Sequence, residues 1–400
     1  MKKYIIIGSI IIILLVGGFF TWHYLRVKNA KIEIVLKDDL DIEFLSDAKV
    51  SDFIESINGK IIDDKKIDTT KVGTQEVVFK FINEDNIELE SSYKINVVDV
   101  TPPLVWLNST YNVNVGSEDT LVDDILCGDD FDSNPTCEIV GDYNMDEAGS
   151  YDLVFKATDS SGNVTEKEFT LNVRVPSGSS GSSSSGTRNR TEFADVIAEY
   201  KTENTEIGID VSKWQGDIDF DALNSAGVEF VIIRVGTADG IDGEYLLDSK
   251  FKQNIEGANK AGIPVGIYFY SYANSKDRAI ADAKWILKQI EGYQVDLPIA
   301  FDWENWSFYN EFNLSFFGLT DMANSFLSVV EDAGYEGMLY SSKTYLENIW
   351  LNTDYPVWLA HYTSKTNYAG AFSYWQLCNN GRVSGINGDV DINIRYLATE

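Results

Sequence analysis

The rhythm of apolar and polar positions divides this 400-residue chain into three regimes and one interruption. Met1-Lys2-Lys3 leads into an almost unbroken apolar run from Tyr4 to Phe20, extended through Thr21 and Trp22 to Leu25. At about 1.5 Å per residue, a run of ~20 residues crosses a hydrocarbon layer of ~30 Å. The run is longer than the core of a cleaved signal, and Val16-Gly17-Gly18-Phe19-Phe20 offers no small-x-small exit site. The pattern predicts a transmembrane anchor with short flanks over residues 1–30. Lys2 and Lys3 on one side and Arg26, Lys28 and Lys31 on the other do not orient it.

From Lys31 to about residue 175 short runs of alternating apolar residues are separated by Asp, Asn, Gly and Ser clusters, the pattern of half-buried strands. This stretch repeats itself. Gly73-Thr-Gln-Glu-Val-Val-Phe-Lys80 aligns with Gly149-Ser-Tyr-Asp-Leu-Val-Phe-Lys156, and Tyr93-Lys-Ile-Asn-Val97 with Phe169-Thr-Leu-Asn-Val173. The period, 76 residues from Gly73 to Gly149, fits a small β-sandwich. Val100-Thr-Pro-Pro103 marks the join, since paired prolines interrupt strands. Two modules are expected, 31–99 and 100–175. The second, with Thr101-Pro-Pro at its start and Ala157-Thr-Asp-Ser-Ser-Gly-Asn-Val164 near its end, resembles bacterial immunoglobulin-like surface modules. Its expected role is a spacer.

Pro176-Ser-Gly-Ser-Ser-Gly-Ser-Ser-Ser-Ser-Gly186 can bury no core, and residues 176–206 read as a flexible linker. Beyond it the rhythm changes again. Apolar strand candidates at Ile207–Val211, Phe230–Val235, Pro264–Tyr270, Leu297–Trp303, Gly337–Tyr340, Pro356–His361 and Ser373–Leu377 alternate with amphipathic helices such as Asp248–Ala261, Lys276–Ile290 and Gly318–Ala333. Such alternation predicts a parallel sheet closed as a barrel over 207–400, with its chemistry at the C-terminal ends of the strands. The expected fold class is therefore multidomain: a transmembrane helix, two all-β immunoglobulin-like sandwiches and an α/β, TIM-like barrel.

Composition narrows the partners. Asp and Glu number 63 against 32 Lys and Arg, a formal charge of −31, and such a field repels phosphate backbones, so nucleic acid is not expected. Cys127 and Cys137, ten residues apart, are disulfide candidates in an exported domain, whereas Cys378 follows a strand-like run and reads as a buried small apolar residue. With two histidines in the chain, His23 and His361, a zinc amidase lacks ligands. A Cys–His protease would have to pair His361 with Cys378 at a strand end instead of a helix N-terminus.

Candidate chemistry gathers at strand ends: Asp210, the pair Asp302 and Glu304, and Asp391. Two residues apart on an extended strand, Asp302 and Glu304 project to one face. A glycosidase needs one carboxylic acid to protonate the leaving oxygen and a second to support the oxocarbenium-like centre, and neighbouring carboxylates push their pKa values apart. Trp214 and Trp303 are expected in the core.

The surrounding motifs are Gly208-Ile-Asp-Val-Ser-Lys-Trp-Gln-Gly216, Phe301-Asp-Trp-Glu304, Val357-Trp-Leu-Ala-His-Tyr-Thr363, Trp375-Gln376 and Gly388-Asp-Val-Asp-Ile-Asn393. Together, in this order, they resemble the glycoside hydrolase family 25 muramidases, the Chalaropsis-type lysozymes, from about Ile207 to Tyr396. The resemblance implies hydrolysis of the β-1,4 bond between N-acetylmuramic acid and N-acetylglucosamine, with no metal and no cofactor. It implies Glu304 as general acid, Asp302 steering the N-acetyl group, Asp210 and Asp391 as further acids of the cleft, and Tyr270, Tyr340, Tyr362, Trp375 and Gln376 as substrate-binding residues. Leu377 stands where the family often has an aromatic residue. The implied partner is peptidoglycan glycan strands, with membrane contact through the N-terminal helix and wall or secretion-apparatus proteins beside them. The expected location is the cell membrane, single-pass, with the C-terminal domains outside. The alternative is a non-catalytic wall-binding protein on the same fold.

Overall fold

The computed structural model describes residue 21 and residues 24–176, 190–351 and 353–397. The chain divides into two compact units, Met1–Thr101 and Pro102–Glu400.

The first unit contains β1 (Ile34–Leu36), β2 (Asp41–Glu43), β3 (Ile54–Ile57), β4 (Gly59–Ile61), β5 (Gly73–Asn83) and β6 (Glu88–Val98). Its four-stranded sheet runs β2-β6-β5-β4, and β1 pairs separately with β3. Alternation along β5 buries Val77, Phe79 and Phe81 on one face and exposes their neighbours.

The second unit begins with β7 (Leu104–Trp106), β8 (Thr110–Asn114), β9 (Leu126–Gly128), β10 (Thr136–Val140), β11 (Gly149–Thr158) and β12 (Val164–Arg174). The repeat seen in the sequence is one hairpin used twice: Gly73 pairs with Val97 in β5–β6, and Gly149 with Val173 in β11–β12. The sheet order is β10-β11-β12-β8, with a separate β7–β9 ribbon. Val105 and Cys127 of the ribbon share a buried cluster with Leu153, Phe155, Phe169 and Leu171 of the sheet. A disulfide joins Cys127 of β9 to Cys137 of β10, with Cα atoms 6.5 Å apart.

The barrel consists of β14 (Thr205–Val211), β15 (Val231–Ala238), β17 (Val265–Tyr270), β18 (Ile299–Asp302), β19 (Gly337–Ser342), β20 (Val357–Ala360), β21 (Tyr374–Arg382) and β22 (Val390–Tyr396), with β13 (Thr191–Glu192) and β16 (Tyr245–Leu247) added at its edges. Strands β14, β15, β17, β18, β19, β20 and β21 pair in parallel, and β22 closes the ring antiparallel to both β14 and β21. Helices α1 (Phe193–Tyr200), α2 (Phe220–Ser225), α3 (Phe251–Ala261), α4 (Lys276–Gln289), α5 (Phe316–Asp332) and α6 (Lys343–Asn348) accompany it. Ser275 and Ser315 cap α4 and α5 by accepting the backbone N–H three residues on. Gly262 ends α3 in the left-handed region, at φ 72°. Period-two alternation sorts the strand side chains into two clusters. Ile232, Ala300, Met338, Tyr340, Trp358 and Tyr374 fill the ring, whereas Ile233, Ile267, Phe301, Leu339, Leu359 and Trp375 pack outward against the helices.

The expected fold class needs correction. Strand predominates and helices are few. Among the described residues no helix is long and apolar enough to cross a membrane. The anchor expected over 1–30 falls mostly on residues outside the described ones. Each β-module is a four-stranded sheet with a two-stranded ribbon, in place of the two full sheets of an immunoglobulin sandwich. The barrel is not an eightfold βα repeat either: β20, β21 and β22 follow one another without helices, because a hairpin return into an antiparallel strand needs no crossover. Most of the Ser/Gly run also lies outside the described residues. The end of the expected linker is folded, since β13 pairs with β21 and Phe193 and Val196 of α1 join the barrel's core.

Candidate active site

Strand ends bring the functional side chains together at the mouth of the barrel. Asp210 of β14 lies opposite Asp391 of β22. Because β22 runs antiparallel, its beginning reaches the same mouth as the ends of the parallel strands. Asp302, the last residue of β18, lies between Tyr270 of β17 and Tyr340 of β19. Gln376 of β21 lies between Ala360 and Asn393. The resulting pocket, about 170 Å³, is lined by Asp210, Tyr268, Asp302, Glu304, Tyr340, Trp358, Tyr362, Gln376 and Asp391.

The segment after β18 is held at both flanks. Trp303 turns away from the pocket, is fully buried, and donates from Nε1 to the Ala273 carbonyl at 3.0 Å. That leaves Asp302 buried on the pocket side and Glu304 exposed at its mouth. The Ser271 N–H donates to the Asp302 carbonyl at 2.8 Å, and Asn305 Nδ2 donates to the Ser271 carbonyl at 3.0 Å. Asp302 Oδ1 is buried with no hydrogen-bond partner among the described residues. A buried polar atom left in that state is costly, and a ligand group would satisfy it.

Gln376 organises the opposite wall. Its Oε1 accepts from the hydroxyls of Tyr340 (2.9 Å) and Tyr362 (3.1 Å), and its Nε2 donates to Asp210 Oδ2 at 2.9 Å. Asn393 Nδ2 donates to the same Asp210 oxygen at 2.8 Å while its own Oδ1 accepts from Trp358 Nε1 at 2.8 Å. Two hydroxyl donors and one carboxylate acceptor thus fix which way the Gln376 amide points.

Four carboxyls in one small pocket cannot all ionise near neutrality. Burial pushes Asp210 up to about 6, against the opposing pull of the Asn393 and Gln376 hydrogen bonds. Burial and the Asp210 charge push Asp391 up to about 8. Asp302 is raised well above the carboxylate range by burial and by Glu304 facing it. Glu304 is raised by the protein crowded around it and by Asp210, against the opposing pull of its hydrogen bond with Asp302, although the residue is exposed at the pocket mouth. Asp302 and Glu304 titrate as a pair, and the pair keeps a proton at a pH where a free carboxyl would have lost it.

Asp210 and Asp391 bind protons more tightly folded than unfolded, so their contribution is fully present below about pH 4 and is lost as pH rises through about 6 and 8. Asp391→Asn is expected to raise Tm at pH 8 and to flatten the dependence of Tm on pH between 6 and 8. A constant offset at all pH values would count against the assignment.

Of the residues expected from the sequence, Asp210, Asp302, Glu304, Asp391, Tyr340, Tyr362 and Gln376 come together in the pocket. Trp375 does not. It neighbours Gln376 on a strand, so it points outward, where it is buried and donates from Nε1 to the His361 carbonyl at 2.9 Å. Tyr270 sits just behind the pocket, with its hydroxyl 3.4 Å from Asn305 Oδ1. Trp303 is core, but Trp214 is 76% exposed, on the loop that leaves β14, with Lys213 Nζ 4.9 Å from its ring centre. Tyr268, Trp358 and Asn393 were missed as site residues. The alternation that makes Tyr340 and Gln376 inward also applies to them. Cys378 is a buried thiol that burial pushes up, the opposite of an activated nucleophile.

Four carboxyls with raised pKa values at the mouth of a closed barrel make a site able to hold and donate a proton. Residues 209–386 match the family model of the glycosyl hydrolases family 25. Among characterised relatives, the autolytic lysozyme of Clostridium acetobutylicum is 28% identical over 189 residues, covering 46% of this chain and 54% of that protein. Lysozyme M1 of Streptomyces globisporus is 30% identical over 204 residues, covering 46% of this chain and 66% of that protein. The chain thus spans about half the length of the first of these relatives. The solved structure of the modular autolysin LytC from Streptococcus pneumoniae, in complex with a synthetic peptidoglycan ligand, is 25% identical with a TM-score of 0.43, covering 61% of this chain and 56% of that one.

Proposed function

We propose that the protein is a peptidoglycan muramidase hydrolysing the β-1,4 bond between N-acetylmuramic acid and N-acetylglucosamine. The observation that carries this reading is the pairing of Glu304, at the pocket mouth, with a buried Asp302 in one pocket, two carboxyls that hold a proton between them. The family match over 209–386 and the lysozyme relatives support it.

In this mechanism Glu304 donates its proton to the glycosidic oxygen as the bond from that oxygen to the anomeric carbon breaks. The carbonyl oxygen of the substrate's own acetamido group bonds to the anomeric carbon, while Asp302 holds the acetamido N–H. Water then attacks the anomeric carbon from the vacated side as the bond from the acetamido oxygen to that carbon breaks, which regenerates the acetamido group. The water passes a proton to Glu304, restoring the acid with net retention. Asp210, tied to Gln376 and Asn393, keeps a negative charge behind the pair and so holds their proton in place. The protein acts outside the cytoplasm in this reading, supported by the Cys127–Cys137 disulfide.

Digestion of purified peptidoglycan by the full chain, with reducing-end analysis by mass spectrometry, tests the reading. New reducing ends on N-acetylmuramic acid are expected. Intact glycan strands would leave only wall binding, and freed stem peptides would assign the activity to an amidase. Asp210→Asn is expected to shift the alkaline limb of the kcat/KM profile to lower pH, because the Asp210 charge raises Glu304, Asp302 and Asp391 alike. An unmoved limb would remove Asp210 from this role.

A further inference from the structure

We propose that the β7–β9 ribbon of the second β-module is a positioning element of the active site, ordering the segment 303–318 that begins beside Glu304. The proposal rests on the reading of Glu304 as the acid and assigns positioning roles to Trp106, Gly128 and Asn310.

The ribbon is joined to that segment by three kinds of contact. The Asn310 side chain spans the β9 backbone, accepting from the Cys127 N–H at 3.4 Å and donating to the Ile125 carbonyl at 3.2 Å. The first N–H groups of α5, which have no partner inside the helix, donate across to the module: Phe316 to the Asp129 carbonyl at 2.8 Å and Phe317 to the Asp130 carbonyl at 3.2 Å. Ser315 serves the third, Gly318. The helix start is therefore capped partly by the neighbouring module.

The third contact is apolar. Leu104, Trp106 and Leu126 pack on the barrel's own core cluster. Trp106 meets Tyr345 edge-on at 5.1 Å, Tyr345 stacks on Trp306 at 3.8 Å and 12°, and Trp306 meets Trp303 at 4.9 Å. The train ends one residue from Glu304. The approach is so close at Gly128 that a Cβ there would come within 2.7 Å of Phe316 and 2.8 Å of Tyr309. The disulfide from Cys127 to Cys137 fastens β9 to its own sheet at this contact.

The segment needs such support. Trp306–Phe312 is a 3-10 turn with no side-chain hydrogen bond at its N-cap, and Asn313 after it is left-handed at φ 50°. Long 3-10 turns are poorly bonded internally. A spacer would touch the barrel through solvated side chains. Here backbone hydrogen bonds, a glycine-only approach and a continuous aromatic train all converge on one loop, the one that carries the acid.

The test compares the full chain with its Trp106→Ala, Trp106→Phe and Gly128→Leu variants. Two quantities are read: kcat and KM on soluble glycan fragments of peptidoglycan, and amide hydrogen exchange across 303–318. Trp106→Ala and Gly128→Leu are expected to lower kcat by about 10–100-fold with KM little changed, since small misplacements of a reacting group cost that much. Exchange over 303–318 should quicken while β14 and β15 keep their protection, and Trp106→Phe should restore both. Wild-type kcat in both disruptive variants would overturn the proposal, as would quickened exchange with kcat intact. Loss of protection throughout the barrel, unrescued by Phe, would reduce the contact to general stability and overturn it too. A wild-type chain that cleaves no glycan would refute the muramidase reading by itself. Exchange would then still decide, because unchanged protection of 303–318 in Gly128→Leu would end the ordering role.

Discussion

Glu304→Gln is expected to lower kcat on peptidoglycan glycan by about 10²–10⁴, the usual worth of a positioned general acid. KM and Tm should stay near their wild-type values. Glu304 is exposed at the pocket mouth, so an uncharged isostere disturbs little packing, and the deletion falls on proton donation. The leaving sugar hydroxyl is a poor leaving group as an alkoxide, and Glu304 is the most exposed of the four carboxyls at the mouth. The measurement is steady-state kinetics on a defined soluble glycan across pH. A wild-type rate in this variant would remove Glu304 as the acid and with it the proposed mechanism.

Asp302→Asn is the second large effect, an expected loss in kcat of about 10²–10³ with a smaller change in KM. Asp302 is 2% exposed and its Oδ1 faces the pocket with no partner among the described residues. An acceptor held in place in a buried position strengthens its bond to an acetamido N–H as the nitrogen gains positive character, so its removal is felt in the transition state more than in binding. Product analysis completes the test. Wild type should release the retained anomer first, and an inverted first product would replace acetamido participation by direct attack of water. A loss confined to KM would make Asp302 a simple binding group.

The seven strand candidates from Ile207 to Leu377 each overlap a strand of the barrel, and the three helices named from the sequence correspond to α3, α4 and α5. Apolar periodicity was strong in those segments because each buries a continuous face. The repeat between 73–97 and 149–173 was equally plain, since the same hairpin needs the same alternation. The eighth strand was not among the candidates. Val390–Tyr396 carries Asp391, Asn393 and Arg395 between its apolar residues; Asp391 lines the site, Asn393 bonds Asp210 there, and Arg395 pairs with Glu206. Trp375 and Trp214 were placed on the wrong sides for a related reason. A tryptophan's composition does not say which face of a strand it occupies, nor whether a loop leaves it exposed.

What the sequence by itself determined is local: where strands and helices form, which hairpin repeats, and which carboxyls stand at strand ends in the motifs of family 25. These follow from side-chain periodicity and from the residue types that the chemistry requires. Only the tertiary structure decided that β22 closes the ring antiparallel and carries Asp391 to the same mouth as Asp210. Only it decided that Asp210 is held by Gln376 and Asn393, residues more than 160 positions away. It also decided that a β-module caps the start of a barrel helix. Pairing, burial and pKa shifts depend on which distant segments share one low-dielectric pocket, and that is a property of the closed ring that no single stretch of the chain contains.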